Sequence, residues 1–175
     1  ENNYVSEHFG NRYFTIENAR KIGAIRERID SYCLNNREKN ILLTSLLYAM
    51  DKAANTCGHY DAFRQKMDSH KEIALQMPLI NDKLNKANEI YCEDGNALIK
   101  RMKGDILYID PPYNSRQYCD TYHVLDNISL WAKPPVVGVA KKYDRTAFKS
   151  QYCGRGAINA FKDLILNAKV KHILF

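Results

Sequence analysis

Apolar residues in the first half of the chain recur at the three- and four-residue spacing of two helices. Thr15 is suited to the N-cap of the first helix. The second runs from about residue 37 to residue 54, and its broad apolar face predicts burial on more than one side. Polar residues and Gly58 then interrupt the pattern and predict a loop over residues 55–60. The apolar positions of the first helix are Ile16, Ala19, Ile22, Ile25 and Ile29.

The second half of the chain changes to short apolar runs that alternate with helical patterns. Residues 106–109 form such a run and predict a short buried strand. From residue 89 onward the predicted order is strand, helix, strand, helix, helix, strand, which is typical of an α/β fold with a largely parallel sheet. The remaining predicted elements are strands at residues 90–92 and 170–175 and helices at residues 97–102, 121–131 and 157–168, with a polar and helical stretch at residues 61–71.

These patterns predict two regions in one chain. Residues 1–85 are expected to form a mostly helical lobe, and residues 86–175 an α/β core. The chain of 175 residues starts without Met and finishes on an apolar strand. We therefore expect a fold that is incomplete at both ends.

Composition narrows the class of protein. Hydrophobic residues make up 45% of the chain and charged residues 26%, as in ordinary soluble globular proteins. No apolar run approaches the roughly 20 residues that cross a bilayer, and the amino terminus lacks the features of a signal peptide. The net charge of +6 and the sequence pI near 9.0 suit a polyanionic partner, although such a charge alone is weak support.

The five cysteines are odd in number and widely spaced, without a C-x-x-C pair. They predict neither a disulfide framework nor a zinc site, and we expect no metal. This spacing favours a cytoplasmic protein whose cysteines are reduced and mostly buried. The cysteines are Cys33, Cys57, Cys92, Cys119 and Cys153.

The tetrapeptide Asp110-Pro111-Pro112-Tyr113 directly follows the predicted strand at residues 106–109. Proline cannot donate a hydrogen bond to a sheet, so the strand must end there and leave Asp110 at its carboxyl end. Open α/β sheets bind their ligands at that end. A carboxylate, a stiff turn with free carbonyls and the ring of Tyr113 can together hold a planar heterocycle that carries an amino group. An ordinary side-chain-capped turn is the alternative.

The motif resembles the catalytic Asp-Pro-Pro-Tyr of the amino-methyltransferases that methylate exocyclic amines of DNA bases. The flanking residues extend the resemblance to a branch of DNA adenine methyltransferases from restriction–modification systems. The resemblance implies part of a Rossmann-like methyltransferase sheet, S-adenosyl-L-methionine as cofactor, and catalytic roles for Asp110, Pro111, Pro112 and Tyr113. The segments that carry it are residues 12–15, 51–56, 110–118 and 122–123, with Gly58 and Tyr60.

The same resemblance implies that Asp94 and Gly95, together with Asp110, contact the cofactor. An ordinary Asp-Gly turn is the alternative for Asp94 and Gly95. The Phe-x-Gly-x-Gly segment that approaches the cofactor in this family has no counterpart in the chain. In the relevant branch that segment precedes the helical region, so we expect a truncated fragment that by itself is inactive.

Three polar groups are candidates for contact with DNA. The loop at residues 55–60 suits base edges in the major groove, but it is equally suited to closing a helix. Polar residues after the motif suit loop ordering or phosphate contact, and a basic, aromatic segment at residues 141–155 suits a phosphate clamp or a solvated surface. The candidates are Asn55, Thr56, Tyr60, Asn114, Arg116, Tyr118, Lys141 and Lys142.

Together these observations predict a cytoplasmic DNA adenine methyltransferase that acts on double-stranded DNA, within a system that also has a cognate restriction endonuclease. Two alternatives stay open. One is an amino-methyltransferase that acts on cytosine or RNA, for which Ser or Asn at position 110 would be more typical. The other is a non-catalytic target-recognition fragment, which the missing glycine segment favours.

Overall fold

The computed structural model describes residues 1–68, 71–80, 87–112 and 114–175. Helices and strands alternate in its second half, and helices dominate its first half. The helices are α1 (Tyr4–Phe9), α2 (Ile16–Ser31), α3 (Asn36–Ala53), α4 (Gly95–Ile99), α5 (Tyr118–Thr121), α6 (His123–Leu130) and α7 (Ala157–Asn167). The strands are β1 (Lys103–Tyr108) and β2 (Lys169–Leu174), and short 3₁₀ turns lie at Thr146–Phe148 and Gln151–Cys153.

The chain divides into two compact units. The first contains Glu1–Ile80 and Cys119–Ala147, and the second contains Asn81–Tyr118 and Phe148–Phe175. This division differs from the boundary expected near residue 85, because α6 packs with the helices of the first unit. Val124 and Ile128 of α6 are fully buried in the same apolar cluster as α2 and α3.

The two long helices of the first unit start where their capping residues predict. Thr15 accepts a hydrogen bond from the backbone N–H of Asn18 at 3.2 Å, which starts α2. At the start of α3, Asn35 and Glu38 each accept the other's backbone N–H at 3.0 Å and form a capping box. Helix α1 was not predicted, since its six residues are too few for a periodic pattern.

Aromatic rings occupy the centre of the first unit. Phe9, Tyr13, Phe14 and Tyr60 are almost completely buried and contact one another edge-on or at a tilt. The Tyr13 hydroxyl lies 2.9 Å from the carbonyl oxygens of both Tyr60 and Ala140. Burial raises the pKa of Tyr13, so the hydroxyl stays protonated and can donate.

A buried arginine connects α2 to the end of α6. Arg26 is 2% exposed, and its Nε donates to the carbonyl of Ile128 at 2.7 Å. The same guanidinium pairs with Asp30 at 2.7 Å and lies 5.3 Å from the ring centroid of Trp131. A cation at the carboxyl end of a helix is favourable because the unpaired carbonyls there carry partial negative charge.

In the second unit, β1 and β2 pair in parallel, with Ile106 opposite His172. The chain between the two strands contains α5, α6 and α7, and α7 directly precedes β2. A long connection of this kind is what parallel pairing requires. Ile99, Ile109 and Leu164 form a small core beneath the pair. The expectation of a buried strand at residues 106–109 is confirmed only at its end, since Ile109 is 7% exposed but Ile106 is 61% exposed. Among the described residues, β1 is hydrogen-bonded to β2 alone.

Three further expectations differ from the structure. Residues 90–92 form no strand, and the described residues from 61 to 68 form no helix. All five cysteines are free, but Cys33, Cys57 and Cys92 are exposed rather than buried. No helix in the described ranges is long and apolar enough to span a membrane.

The fully buried side chain of Leu46 provides a test of the first unit's core. Leu46→Ala should lower the free energy of unfolding by about 2–5 kcal/mol, because it removes apolar contact and leaves a cavity. Leu130→Ala is the matched control, since Leu130 is 67% exposed and its change should cost less than about 0.5 kcal/mol. Urea unfolding measures both, and equal losses would contradict the described core.

His123 predicts a pH dependence of stability. It is fully buried, with ring nitrogens 3.0 Å and 2.8 Å from the carbonyl oxygens of Asp120 and Ala140. Burial lowers its pKa, helped by the charges of Lys142 and Arg145 and opposed by the two carbonyls. His123 therefore binds a proton more tightly in the unfolded chain than in the folded chain. His123's contribution to stability is present above its ordinary pKa of about 6.5 and is lost as the pH falls.

Relative to His123→Gln, the natural chain should therefore lose up to about 1.4 kcal/mol per pH unit as the pH falls below about 6.5. Urea unfolding between pH 7 and pH 5 measures the difference. A relative gain in stability at low pH would instead indicate a charged imidazolium that donates to both carbonyls.

Candidate active site

Asp110 lies where the strand pairing stops. The N–H of Ile109 donates to the carbonyl of Leu174 at 2.9 Å and extends the pairing of the two strands to the residue before Asp110. Pro111 and Pro112 follow and cannot donate, so the backbone leaves the sheet. The Asp110 side chain is exposed at this carboxyl end, as the sequence predicts.

Asp94 and Gly95 form the start of α4. The Asp94 carboxylate accepts the backbone N–H of Ala97 at 2.9 Å and so acts as an N-cap. A side chain at Gly95 would meet no atom within 4 Å, so the position opens onto free space. The predicted Asp-Gly turn is thus a helix start, and its exposed Asp94 keeps a second carboxylate oxygen for other partners.

A cavity of about 470 Å³ brings the two predicted groups together within the second unit. Gly95, Asp110, Pro111 and Pro112 are all among its lining residues, whereas Asp94 is not. Its volume is within the usual range for small-molecule sites. The apolar part of its wall consists of Leu98, Ile99, Met102, Ile106, Leu107, Tyr108, Ile109, Leu164 and Val170.

The residues after the motif form a turn of their own. Tyr113 lies outside the described residues. The Asn114 side chain accepts the backbone N–H of Arg116 at 2.8 Å, which makes a side-chain-closed turn. Arg116 and Tyr118 are exposed. Asn114 therefore orders the backbone, while Arg116 and Tyr118 face solvent and are accessible to a large partner.

Two of the loop residues proposed for DNA contact are buried in the first unit. Asn55 is 2% exposed, and its amide donates to the carbonyls of Arg12 and Arg64 at 3.0 and 2.8 Å. Tyr60 is 1% exposed, and burial raises the pKa of its hydroxyl. Their polar atoms are therefore not offered to a macromolecule, and both residues hold the loop in place. Thr56 is partly exposed and stays a candidate.

Adjacent lysines differ in environment. Lys142 forms ion pairs with Asp61 and with Asp120, the latter at 3.0 Å, and Arg145 adds a further contact to Asp120. Burial raises the pKa of Asp120, but hydrogen bonds and positive charge from Lys142 and Arg145 outweigh it and lower the net value. The charge of Lys142 is thus neutralised internally, contrary to the expected phosphate contact. Lys141 has no ion pair among the residues that the structure describes.

Sequence analysis did not identify Tyr152 or Asn96 as site residues. Tyr152 lines the cavity, and its hydroxyl donates to the Asn96 side chain at 2.7 Å. Burial raises the pKa of Tyr152, with help from Asp94 and Asp163, so the donor proton is retained. Neither residue belongs to a motif; their importance follows from contacts over 56 positions of sequence. Over the described ranges, no group of His, Cys, Asp or Glu side chains is arranged to hold a metal ion.

Comparison with known proteins gives consistent matches. The chain is 39% identical over 169 residues to the modification methylase StsI of Streptococcus sanguinis and 38% identical over 168 residues to the type II methyltransferase M.FokI of Planomicrobium okeanokoites. It is 36% identical over 169 residues to the type II methyltransferase M.NlaIII of Neisseria lactamica. Each match covers 93% of this chain.

The chain spans 26% of the length of the first two relatives and 50% of the third. No solved structure matches it significantly. A sequence model of one family matches residues 2–173, almost the whole chain. The chain therefore belongs to the D12 class of N6 adenine-specific DNA methyltransferases.

Proposed function

We propose that the protein transfers a methyl group to the exocyclic 6-amino group of adenine in double-stranded DNA, at a specific site. The observation that carries the proposal is the shared cavity: Asp110, Pro111 and Pro112 line the same space as Gly95, in a chain of this family. The related modification methylases support a site-specific role in a restriction–modification system.

The residues at the cavity fit S-adenosyl-L-methionine as the methyl donor. Its apolar walls suit the flat adenosyl group, and the carboxylate of the lining residue Asp110 suits hydroxyl and amino groups. Asp94 directly precedes the lining residue Gly95 and offers a second carboxylate next to the cavity. Gly95 leaves room for close approach, because a Cβ there would meet nothing. When bound, S-adenosyl-L-methionine supplies an activated methyl group on a sulfonium. We propose Asp94, Gly95 and Asp110 as its contacts.

The amine of adenine is a poor nucleophile because its lone pair is delocalised into the ring. The Asp110 carboxylate and the Pro111 carbonyl can accept hydrogen bonds from the two N–H groups of the adenine amine. These hydrogen bonds favour a lone pair that is localised on the nitrogen. Proline fixes the backbone φ angle, which holds that carbonyl in a constant direction. Preorganised acceptors of this kind lower the barrier through positioning and electrostatics. Tyr113 is proposed to stack on the adenine after it leaves the helix.

The remaining proposals concern context. We propose that β1, β2, α4 and α7 are part of a larger Rossmann-like methyltransferase sheet, and that the helical first unit contributes to target recognition. Thr56, Arg116, Tyr118 and Lys141 are the proposed DNA contacts. A cognate restriction endonuclease is the proposed functional partner, and a DNA substrate in the cell places the activity in the cytoplasm.

The direct test is transfer of a labelled methyl group from S-adenosyl-L-methionine to duplex DNA by the full-length protein, followed by analysis of the nucleosides. Label on N6 of adenine is the expected result. Label on cytosine, or transfer to RNA in preference to DNA, would contradict the proposal.

Asp110→Ala should lower kcat by at least about 100-fold while the dissociation constant for duplex DNA stays unchanged, because the lost acceptor acts mainly in the transition state. Asp105→Ala is the matched control: Asp105 lies on the same strand, and its pair with Lys171 at 2.8 Å is highly exposed. Steady-state methyl transfer measures both variants. Near-normal turnover of Asp110→Ala would refute its catalytic role.

Lys141→Gln and Lys142→Gln remove the same charge from adjacent positions. Lys141→Gln should make the slope of the logarithm of the DNA-binding constant against the logarithm of the salt concentration shallower by about 0.9, because it removes one phosphate contact. The melting temperature should stay unchanged. Lys142→Gln should lower the melting temperature, because Asp61 and Asp120 lose their shared cation. Salt titrations of DNA binding and thermal unfolding separate the two. A reversed pattern would contradict the assignment.

A further inference from the structure

The backbone after the Asp110 motif is held by one short segment, Ser150–Cys153, which we call the brace. The Gln117 side chain binds the brace through both ends of its amide. Its Oε1 accepts the backbone N–H of Ser150 at 2.7 Å, and its Nε2 donates to the Ser150 carbonyl at 3.2 Å. The Cys153 thiol donates to the carbonyl of Arg116 at 3.3 Å. Two successive residues beyond the motif are thus fixed to the brace.

The same segment reaches the helix that begins at Gly95. The Tyr152 hydroxyl donates to the Asn96 side chain at 2.7 Å. The Asn96 amide in turn donates to the Ala160 carbonyl at 2.7 Å and to the Asp163 carboxylate at 2.8 Å. All polar atoms of the Asn96 side chain therefore have partners, which fixes the start of α4 against α7.

We propose that the brace couples the two sides of the active site, and that Gln117 and Tyr152 are positioning residues for methyl transfer. Gln117 fixes the described backbone beyond the motif, at residues 116–117. Tyr152 fixes the helix start that presents Asp94 and Gly95. The inference rests on the proposed function, because only that function assigns the base to Asp110 and Pro111 and the cofactor to Asp94 and Gly95, with Asp110 in contact with both.

A glutamine suits this position for a chemical reason. The side-chain amide carries one donor and one acceptor in a plane, so it pairs with the N–H and C=O of a single residue as a neighbouring strand would. Proline prevents the motif itself from pairing in this way. The side chain of Gln117, seven residues after Asp110, therefore anchors the backbone instead. Displacements of about 1 Å at a reacting group can reduce a rate by about 100-fold, so the anchorage affects catalysis.

The first experiment measures the brace itself, without reference to activity. Hydrogen exchange of the Ser150 amide is followed in the full-length protein and in Gln117→Ala, Gln117→Glu and Gln151→Ala. Gln117→Ala should lose the protection of Ser150. Gln117→Glu should retain it, because a carboxylate oxygen can still accept that N–H. Gln151→Ala is the matched control, since Gln151 lies exposed in the same segment, and it should change nothing.

The second experiment separates the two sides kinetically. Gln117→Ala should lower kcat by about 10- to 100-fold and raise the KM for S-adenosyl-L-methionine much less, because Asp94 and Gly95 keep their contacts with the cofactor. Gln117→Glu keeps one of the two hydrogen bonds to Ser150, so its kcat should fall less than that of Gln117→Ala. Tyr152→Phe should do the reverse: it should raise the KM for S-adenosyl-L-methionine by up to about tenfold, the effect of one hydrogen bond, and leave kcat close to normal.

The outcomes are distinguishable. Unchanged exchange at Ser150 in Gln117→Ala would overturn the brace, whatever the activity. Loss of exchange protection with the predicted split between kcat and KM would support the positioning roles. If kcat and KM change equally in Gln117→Ala and in Tyr152→Phe, the brace only stabilises the fold, and the proposal is overturned. Absence of any methyl transfer by the natural protein would refute the proposed function, while the exchange experiment would still decide whether Gln117 holds the segment.

Discussion

The inability of proline to donate a backbone hydrogen bond shapes the backbone at the candidate site of the second unit. Pairing between β1 and β2 includes the bond from Ile109 to Leu174, and the next residues but one, Pro111 and Pro112, have no N–H to donate to a neighbouring strand. The chain must therefore leave the sheet directly after a carboxylate. Asp110 lies at the cavity as a result, and the backbone beyond it needs anchorage from elsewhere.

Side-chain amides supply that anchorage, here and in the first unit. Asn55 ties its loop to two distant carbonyls, and Asn96 ties α4 to α7. Gln117 does the same for the segment after the motif. Each amide pairs with backbone groups of a segment far along the chain or outside regular structure, so these segments keep a defined path while the amide's own polar atoms stay paired.

Local patterns predicted much of this fold. Helical spacing located α2 and α3, with Thr15 as the cap of α2, and an apolar run followed by two prolines located β1 and a candidate site at its end. The environment of a side chain was harder to predict. Asn55 and Lys142 have the chemistry of DNA-binding residues, but burial and two acidic neighbours give them structural roles. The contacts of Tyr152 join residues far apart in sequence, and no local pattern contains them.

The path of the chain through the two units has a consequence for how such proteins diversify. The polypeptide passes from one unit to the other three times, because Cys119–Ala147 returns to the first unit before Phe148 resumes the second. A single genetic crossover between relatives would therefore join mismatched pieces of one hydrophobic core. Exchange of the helical unit as a module requires coordinated replacement of two separate gene segments. Under the proposed role of the first unit in target recognition, we expect new sequence specificity to arise more readily from point substitutions on its surface than from exchange of the whole unit.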